Sequence, residues 1–382
     1  MRVAFVGRVL GEDYWGGERR IALQLFRLFG EMGVDPIPFY CYRRGHERLQ
    51  QGIAHLAWDL DPLAVRNYLM FLRKTKPDVV LGWYDRDTSL VHACGKLGIP
   101  LVLTAHVYWL QCPIRSLTFH GTEKFCSGPQ LYCGVDVLRR RGFESASFLG
   151  PAFGRLLLES FKRKKARINR HVSYVIACSQ FMKSILERDG FTNVKVVHNG
   201  VDPPLYDAPD SQRKPVIVFS GQTTSLKGFP DFLRMSNIVK AQFPQCKFVF
   251  TGGTAKVSSG AEELGVISDS ELRALYSRSS VLVFPSVWQE PFGLVLIEAM
   301  ASSLPVVAYR TGAVPEIVID GETGFLVERS NVEQLSMRVL QLLRNRDLAT
   351  RMGKLGRIAV ADKFDIRHTA QRYVEILSDA AT

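Results

Sequence analysis

Residues 280–309 read SVLVFPSVWQEPFGLVLIEAMASSLPVVAY, and this stretch decides the fold. A short apolar run, VLVF, leads into a loop carrying Pro285, Pro291 and Gly293. An apolar segment of helical length follows, and a second short run, PVVAY, closes the unit. Strand, helix and strand in that order imply a parallel sheet covered by helices. The helix is expected to start near Phe292 or Gly293 and to carry Leu294, Ile297 and Ala301 on its buried face. Glu290 then falls in the loop before the helix, and Glu298 about two turns along it, at about 3.6 residues per turn.

The same alternation runs outward in both directions. RVAFVG, DVVLGWY, PLVLTAH, VSYVIACS and KVVHNGVD read as strands of a first half, with Ile21, Leu25, Leu28 and Met32 at helical spacing after the first. PVIVFSG, KFVFTGG, SVLVFPS and PVVAYR restart the series. Ser268 with Glu271 forms a capping-box signature ahead of Leu272 and Leu275. Asn331 is placed to cap a helix carrying Leu335, Val339 and Leu342. Between the halves, DPPLYDAPDSQRKP (residues 202–215) is polar and proline-rich and reads as a linker. The expected fold class is α/β, two doubly wound Rossmann-like domains facing a central cleft at the carboxyl ends of their strands. Their bounds are 1–202 and 203–365. A last helix is expected over 366–382, with Ile366, Ala370, Tyr373 and Leu377 on one face.

Composition bounds the partners. Of 382 residues, 46% are hydrophobic, enough for sizeable cores, and 23% are charged. No run of about 18 apolar residues occurs, so no transmembrane helix is expected. The start of the chain reads as a strand rather than a signal peptide, which points to the cytoplasm. Seven scattered cysteines do not make a disulfide scaffold. The net charge of +12 favours an anionic partner. No basic and aromatic module of a nucleic-acid binder is present.

The two glutamates have a chemical reading. Backbone N–H groups of Phe292, Gly293 and Leu294, together with the helix dipole, make an anion site suited to phosphate. Gly293 lets the anion come close. A carboxylate accepts paired hydroxyl hydrogen bonds, which sugars and riboses offer. Glu290 and Glu298 would thus each serve one sugar of a nucleotide-sugar. On spacing alone, a solvated Glu290 and a helix-surface Glu298 fit as well.

The run from Val281 to Val327 resembles the C-terminal signature of retaining GT-B glycosyltransferases of family four (glycosyl transferases group 1). The resemblance extends over most of the chain: Gly16 and Gly17 in the first loop, His106 after PLVLTA, ACS at Cys178–Ser179, HNGVD at His198–Asp202, and SGQTTSLKG at Ser220–Gly228. It implies that the helix over 366–382 crosses back to the first domain, and a retaining, metal-independent transfer of a sugar from a nucleoside-diphosphate sugar to a glycan or lipid-linked acceptor. By the resemblance, Glu290 contacts donor-sugar hydroxyls and Glu298 the ribose. The amides of Phe292, Gly293 and Leu294 meet the donor, and Lys227 neutralises its diphosphate. His106 sits over the reacting centre, Gly16 and Gly17 admit the phosphates, and residues 108–142 form the acceptor-specificity region. The chain departs from the pattern in three places. Gln222 stands where the family has arginine, Val107 where Asp often follows the histidine, and Ser303 where glycine precedes the LPVV strand. Gln222 favours one alternative, a non-catalytic GT-B partner subunit; a nucleotide-sugar epimerase on the same fold is a second.

Other features have bland and sharp readings. Asp59-Leu60-Asp61 and Asp85-Arg86-Asp87 have the form of a metal-holding pair but read better as turn or helix caps, so no metal is expected. Cys112, Cys126 and Cys133, with His120, could hold zinc, but their irregular spacing fits inert thiols in a loop better. Arg139–Arg141 and FKRKKARINR (161–170), the latter preceded by Leu156, Leu157, Leu158 and Phe161, read either as a helix resting on an anionic membrane surface or as a solvated helix face.

Overall fold

A computed structural model describes residues 1–7, 16–39, 60–83, 88–110, 112, 126, 130–140, 149–206, 214–253 and 260–382. The chain divides into two compact units, Met1–His198 with Thr369–Thr382, and Asn199–His368.

The first unit runs β1 (Arg2–Gly7), α1 (Gly17–Glu31), β2 (Asp35–Phe39), α2 (Pro62–Thr75), β3 (Val79–Trp83), α3 (Ser89–Leu97), β4 (Leu101–Ala105), α4 (Cys133–Arg140), α5 (Gly150–His171), β5 (Tyr174–Ala177), α6 (Gln180–Arg188) and β6 (Val194–Val196). Its described strands form one parallel sheet in the order β2-β1-β3-β4-β5-β6. The inner strands are buried on both faces, as continuous Val, Ile and Leu runs require. β2, with sequence DPIPF, was not read as a strand. Pro36 and Pro38 lack the amide a central strand needs, and β2 is accordingly an edge among the described strands, paired there with β1 alone. Of the α1 residues expected on the core face, Ile21, Leu25 and Leu28 are buried, whereas Met32 is exposed at the C-cap and Phe29 takes the core position.

The Asp61 carboxylate caps α2, accepting from the amides of Leu63 and Ala64 at 2.9 and 3.2 Å. That is the helix-cap reading of the first Asp-x-Asp; Asp59, the second Asp-x-Asp (residues 85–87), His120 and Arg141 lie outside the described residues. The last helix, α13 (Ile366–Ala381), buries Ile366, Ala370, Tyr373 and Leu377. Within the first unit the Tyr373 ring lies 6.5 Å from that of Phe29, Tyr174 hydrogen-bonds Asp379, and Thr369 Oγ1 donates to the His198 carbonyl.

The second unit runs β7 (Val216–Ser220), α7 (Phe229–Gln242), β8 (Lys247–Thr251), β9 (Glu262–Glu263), α8 (Asp269–Arg278), β10 (Val281–Phe284), α9 (Leu294–Ala301), β11 (Val306–Tyr309), α10 (Val314–Ile317), β12 (Gly324–Val327), α11 (Val332–Arg344) and α12 (Arg346–Lys363). Its sheet is again parallel, in the order β12-β11-β10-β7-β8-β9. The caps read from sequence are present. Ser268 and Glu271 bond each other's backbone reciprocally, and the Asn331 side chain accepts from the Gln334 amide at 2.9 Å. Leu335, Val339 and Leu342 are buried as expected.

α9 begins at Leu294 with Gly293 as its N-cap, and of the residues expected on its buried face Ile297 and Ala301 are buried. Leu294 is half-buried, and everything from Leu296 to Ala301 is buried. The helix is enclosed because α12 packs on it as well as β10 and β11. It ends in a Schellman motif. The Leu304 amide reaches the Ala299 carbonyl and the Ser303 amide that of Met300, with Ser303 in the left-handed region at φ 53°.

Candidate active site

In the second sheet the strand order reverses between β7 and β10: β8 and β9 lie to one side of β7, and β10, β11 and β12 to the other. The loops that follow β7 and β10 therefore leave neighbouring strands in opposite lateral directions and open a crevice at their carboxyl ends. Lys227 is carried by the first loop and Glu290 by the second, and the fold brings them together from 63 positions apart.

Lys227 Nζ donates to Glu290 Oε1 at 2.7 Å and stands 4.4 Å above the Trp288 ring, so one ammonium is held by a carboxylate and an aromatic face. Ser286 Oγ donates to the same Oε1 at 2.6 Å. Glu290 is only 4% exposed. The two loops are knitted by backbone: the amides of Val287 and Trp288 both donate to the Leu226 carbonyl, at 3.1 and 3.0 Å. Gly228, at φ 70°, lies against the Pro285 carbonyl so closely that a β-carbon would stand 1.7 Å from it. From the β11 side, Thr311 Oγ1 donates to the Ser286 carbonyl, and the Ala313 amide to that of Glu290. A β-carbon on Gly312 would sit 2.2 Å from the Glu290 carbonyl oxygen.

Past Glu290 the chain enters α9. Phe292 is buried, its ring 5.9 Å from that of Phe364. The amides of Gly293 and Leu294 donate to no group among the described residues. They lie at the N-terminus of α9, where the helix dipole favours an anion. Glu298 is buried on the helix body, 3% exposed, which excludes the helix-surface reading, and the burial of Glu290 excludes the solvated one. Gln222 is exposed, its carbonyl accepting from the Thr224 amide at 2.8 Å. Lys227, Glu290, Phe292, Gly293, Leu294, Glu298 and Gln222 thus share the second unit.

Gly16, Gly17 and His106 belong to the first unit. Gly16 is the N-cap of α1 at φ 145°, a conformation that favours glycine, and Gly17 opens the helix. His106 follows β4 and stacks on Trp83 at 4.4 Å with 9° between the planes, and Trp83 stacks in turn on Phe5. The residue as a whole is half-buried, but Nε2 is sealed and has no hydrogen-bond partner among the described residues. Burial pushes its pKa down to about 3, so the ring is neutral at physiological pH.

Cys112 and Cys126 are buried free thiols close to Cys133, whose own thiol pKa is raised, first by burial and then by these neighbours. Among the described residues, no group of three His, Cys, Asp or Glu side chains is placed to hold a metal ion. Ser286, Trp288, Thr311 and Gly312 were not singled out from sequence. Ser286 and Trp288 lie within four residues of Glu290, but what marks them is contact with that carboxylate and with the loop of Leu226 and Lys227, which only folding brings near.

Two family models divide the chain: "Glycosyltransferase Family 4" matches residues 15–204 and "Glycosyl transferases group 1" residues 207–358. The chain belongs to the family-four GT-B glycosyltransferases. This family-four chain is 31% identical over 210 residues to the phosphatidyl-myo-inositol mannosyltransferase of Propionibacterium freudenreichii subsp. shermanii, covering 52% of this chain and 54% of that one. It spans about half the length of the curated relatives it matches. Among solved structures, a glycosyltransferase of Rickettsia africae aligns over 99% of this chain and 98% of its own, with a TM-score of 0.70 at 16% identity. The Anabaena protein HepE in complex with UDP-glucose aligns over 99% and 100%, with a TM-score of 0.68 at 18% identity. These two alignments establish the GT-B fold over the whole chain.

Proposed function

We propose that the chain is a retaining, metal-independent hexosyltransferase that moves a sugar from a nucleoside-diphosphate sugar to a glycan or lipid-linked acceptor in polysaccharide assembly. The observation that carries this reading is the pairing of Lys227 with buried Glu290 at the switch point, beside the undirected amides of Gly293 and Leu294. A diphosphate has three fixed partners there: the ammonium, the two amides and the positive end of α9. All are in place before the leaving group develops charge, which is how electrostatic preorganisation lowers a barrier. Glu290, oriented by Ser286 and the ammonium, accepts hydroxyls of the transferred sugar, and Glu298 those of the ribose. His106 serves as a neutral hydrogen-bonding group rather than a titrating acid or base. Gly16 and Gly17 admit donor phosphates near the backbone, and Gln222 takes an uncharged place at the phosphate loop.

The acceptor end of the reading rests on charge. The outward face of α5 carries exposed Arg155, Leu156, Lys162, Arg163 and Arg170 against a single acid, Glu159. Such a face suits peripheral binding to an anionic cytoplasmic membrane surface. Among the described residues no helix is long and apolar enough to cross a membrane.

A thermal-shift panel of nucleoside diphosphates and their sugars, followed by transfer assays with and without EDTA, tests the proposal. A donor that raises Tm selectively and is turned over, with the α-linkage kept in the product by NMR, is the expected result. Binding without turnover would favour the partner-subunit reading, for which the absence of an arginine at Gln222 is the supporting observation. An isomerised donor formed without acceptor would mean an epimerase. No response to any nucleotide would end the proposal.

A further inference from the structure

In the first unit α3 packs against α5, and each helix turns two basic groups, four residues apart, towards the other. α3 contributes His92 and Lys96, and α5 contributes Arg167 and His171. That spacing places each pair on one helix face. Arg167 Nη1 donates to Oγ1 of Thr88, a fully buried residue at the start of α3, at 2.5 Å. The His171 ring lies over Gly95, where a β-carbon would stand 2.8 Å from Nδ1, so the glycine makes the space the ring occupies. Lys96 and His171 are exposed, and His92 and Arg167 half-buried.

The charges acting on His92 come from Arg167, Lys96 and His171, all of one sign; α2, which also packs on α3, adds none. Burial first, and then these three neighbours, hold the His92 pKa below its ordinary value. Among the described residues no carboxylate pairs with any of the four. Like charges held this close repel one another. An anion set among them replaces repulsion with charge-assisted hydrogen bonds. A guanidinium fork, an ammonium and imidazole N–H groups outnumber the acceptor positions of a carboxylate and match the several oxygens of a phosphate.

We propose that the α3–α5 seam is a phosphate-binding site formed by Lys96, Arg167 and His171 with His92. The phosphate is that of an anionic lipid headgroup or of a soluble phosphorylated molecule. The site draws on the basic run 161–170 but not on the donor crevice, and it stands whether or not sugar transfer is the activity of the chain.

The test uses the full chain. Inorganic phosphate is titrated while the histidine ring protons are followed by NMR. Vesicles of phosphatidylcholine, with or without phosphatidylglycerol, are titrated by co-sedimentation. Saturable shifts of His92 and His171 are expected, with the His92 pKa rising when phosphate is bound. Lys96→Gln with His171→Gln, read on His92, should weaken binding on the order of fivefold per charge removed. Gly95→Ala changes no charge and suits a helix; it should weaken binding by displacing the His171 ring. Lys227→Gln should leave these shifts intact, which separates the seam from the donor crevice. Vesicle binding that requires phosphatidylglycerol and is lost in the double variant identifies a headgroup, whereas phosphate shifts without it identify a soluble ligand. Donor turnover measured in the same variants reports separately on the transferase reading. The proposal is overturned if neither probe moves the two histidines, or if the double variant and Gly95→Ala bind as the parent does.

Discussion

Replacing Lys227 with methionine tests whether the fold has built a charge pair at the switch point or merely left two residues near each other. Glu290 is 4% exposed, and its Oε1 accepts from Lys227 and Ser286 at 2.7 and 2.6 Å. Removing one partner of a buried pair typically costs about 3–5 kcal/mol. The Lys227 side chain keeps 25% exposure, so water reaches the gap and the cost falls to about 2 kcal/mol. For a unit of this size that is a drop in Tm of roughly 4–8 °C. Glu290→Gln costs less, about 1 kcal/mol, because the ammonium keeps the Trp288 face and some solvent. In the double variant the buried group is a neutral amide facing an apolar chain, and the loss should be about 1.5 kcal/mol. The coupling across the cycle is then about 1.5 kcal/mol. Urea unfolding of the four proteins measures it. Donor turnover, if the proposed activity holds, drops about 10²–10³-fold in Lys227→Met and does not recover in the double variant. Additivity of the stability changes to within about 0.5 kcal/mol would show that the pair is not energetically real.

Three other outcomes follow from the geometry. The His106 pKa is held at about 3, so below its ordinary value near 6.5 the unfolded chain takes up a proton that the folded ring refuses. Stability should therefore fall with pH through that window, with a slope of up to about 1.4 kcal/mol per unit, ending near pH 3; His106→Gln should flatten it in acid unfolding curves. Ser303 holds a left-handed conformation at the end of α9, and Ser303→Gly should stabilise by about 1 kcal/mol in denaturant titration. Gly312→Ala drives a β-carbon into the Glu290 backbone and should abolish nucleotide-induced thermal shifts while leaving the first unit's unfolding transition unchanged.

Most strands were readable because parallel strands buried on both faces leave continuous apolar runs such as VAFV, VVLGW and VLVF. β2 was hidden because its prolines contradict strand propensity and are tolerated only at an edge. The start of α9 was placed within two residues because Pro291 and Gly293 punctuate it. Ile297 and Ala301 are buried as expected, but Leu294 is only half-buried, and the burial of every residue from Leu296 on could not be read because an almost wholly apolar helix has no polar stripe to mark a face. Glu290, Glu298 and Lys227 stand out by resemblance. Ser286 and Thr311 do not, since their hydrogen bonds link loops that only folding brings together. Of the seam only Arg167 falls in a run the sequence marks; its pairing with His92, Lys96 and His171 was silent, because the four groups come from two helices far apart in sequence.

The closing helix sets an order of assembly. Everything needed for the unit Asn199–His368 has been synthesised by residue 368, while the unit that starts at Met1 still lacks the segment bearing Tyr373 and Asp379. The unit that comes earlier in the chain is thus completed after the one that follows it, and its Phe29 flank stays uncovered until the segment bearing Tyr373 has docked.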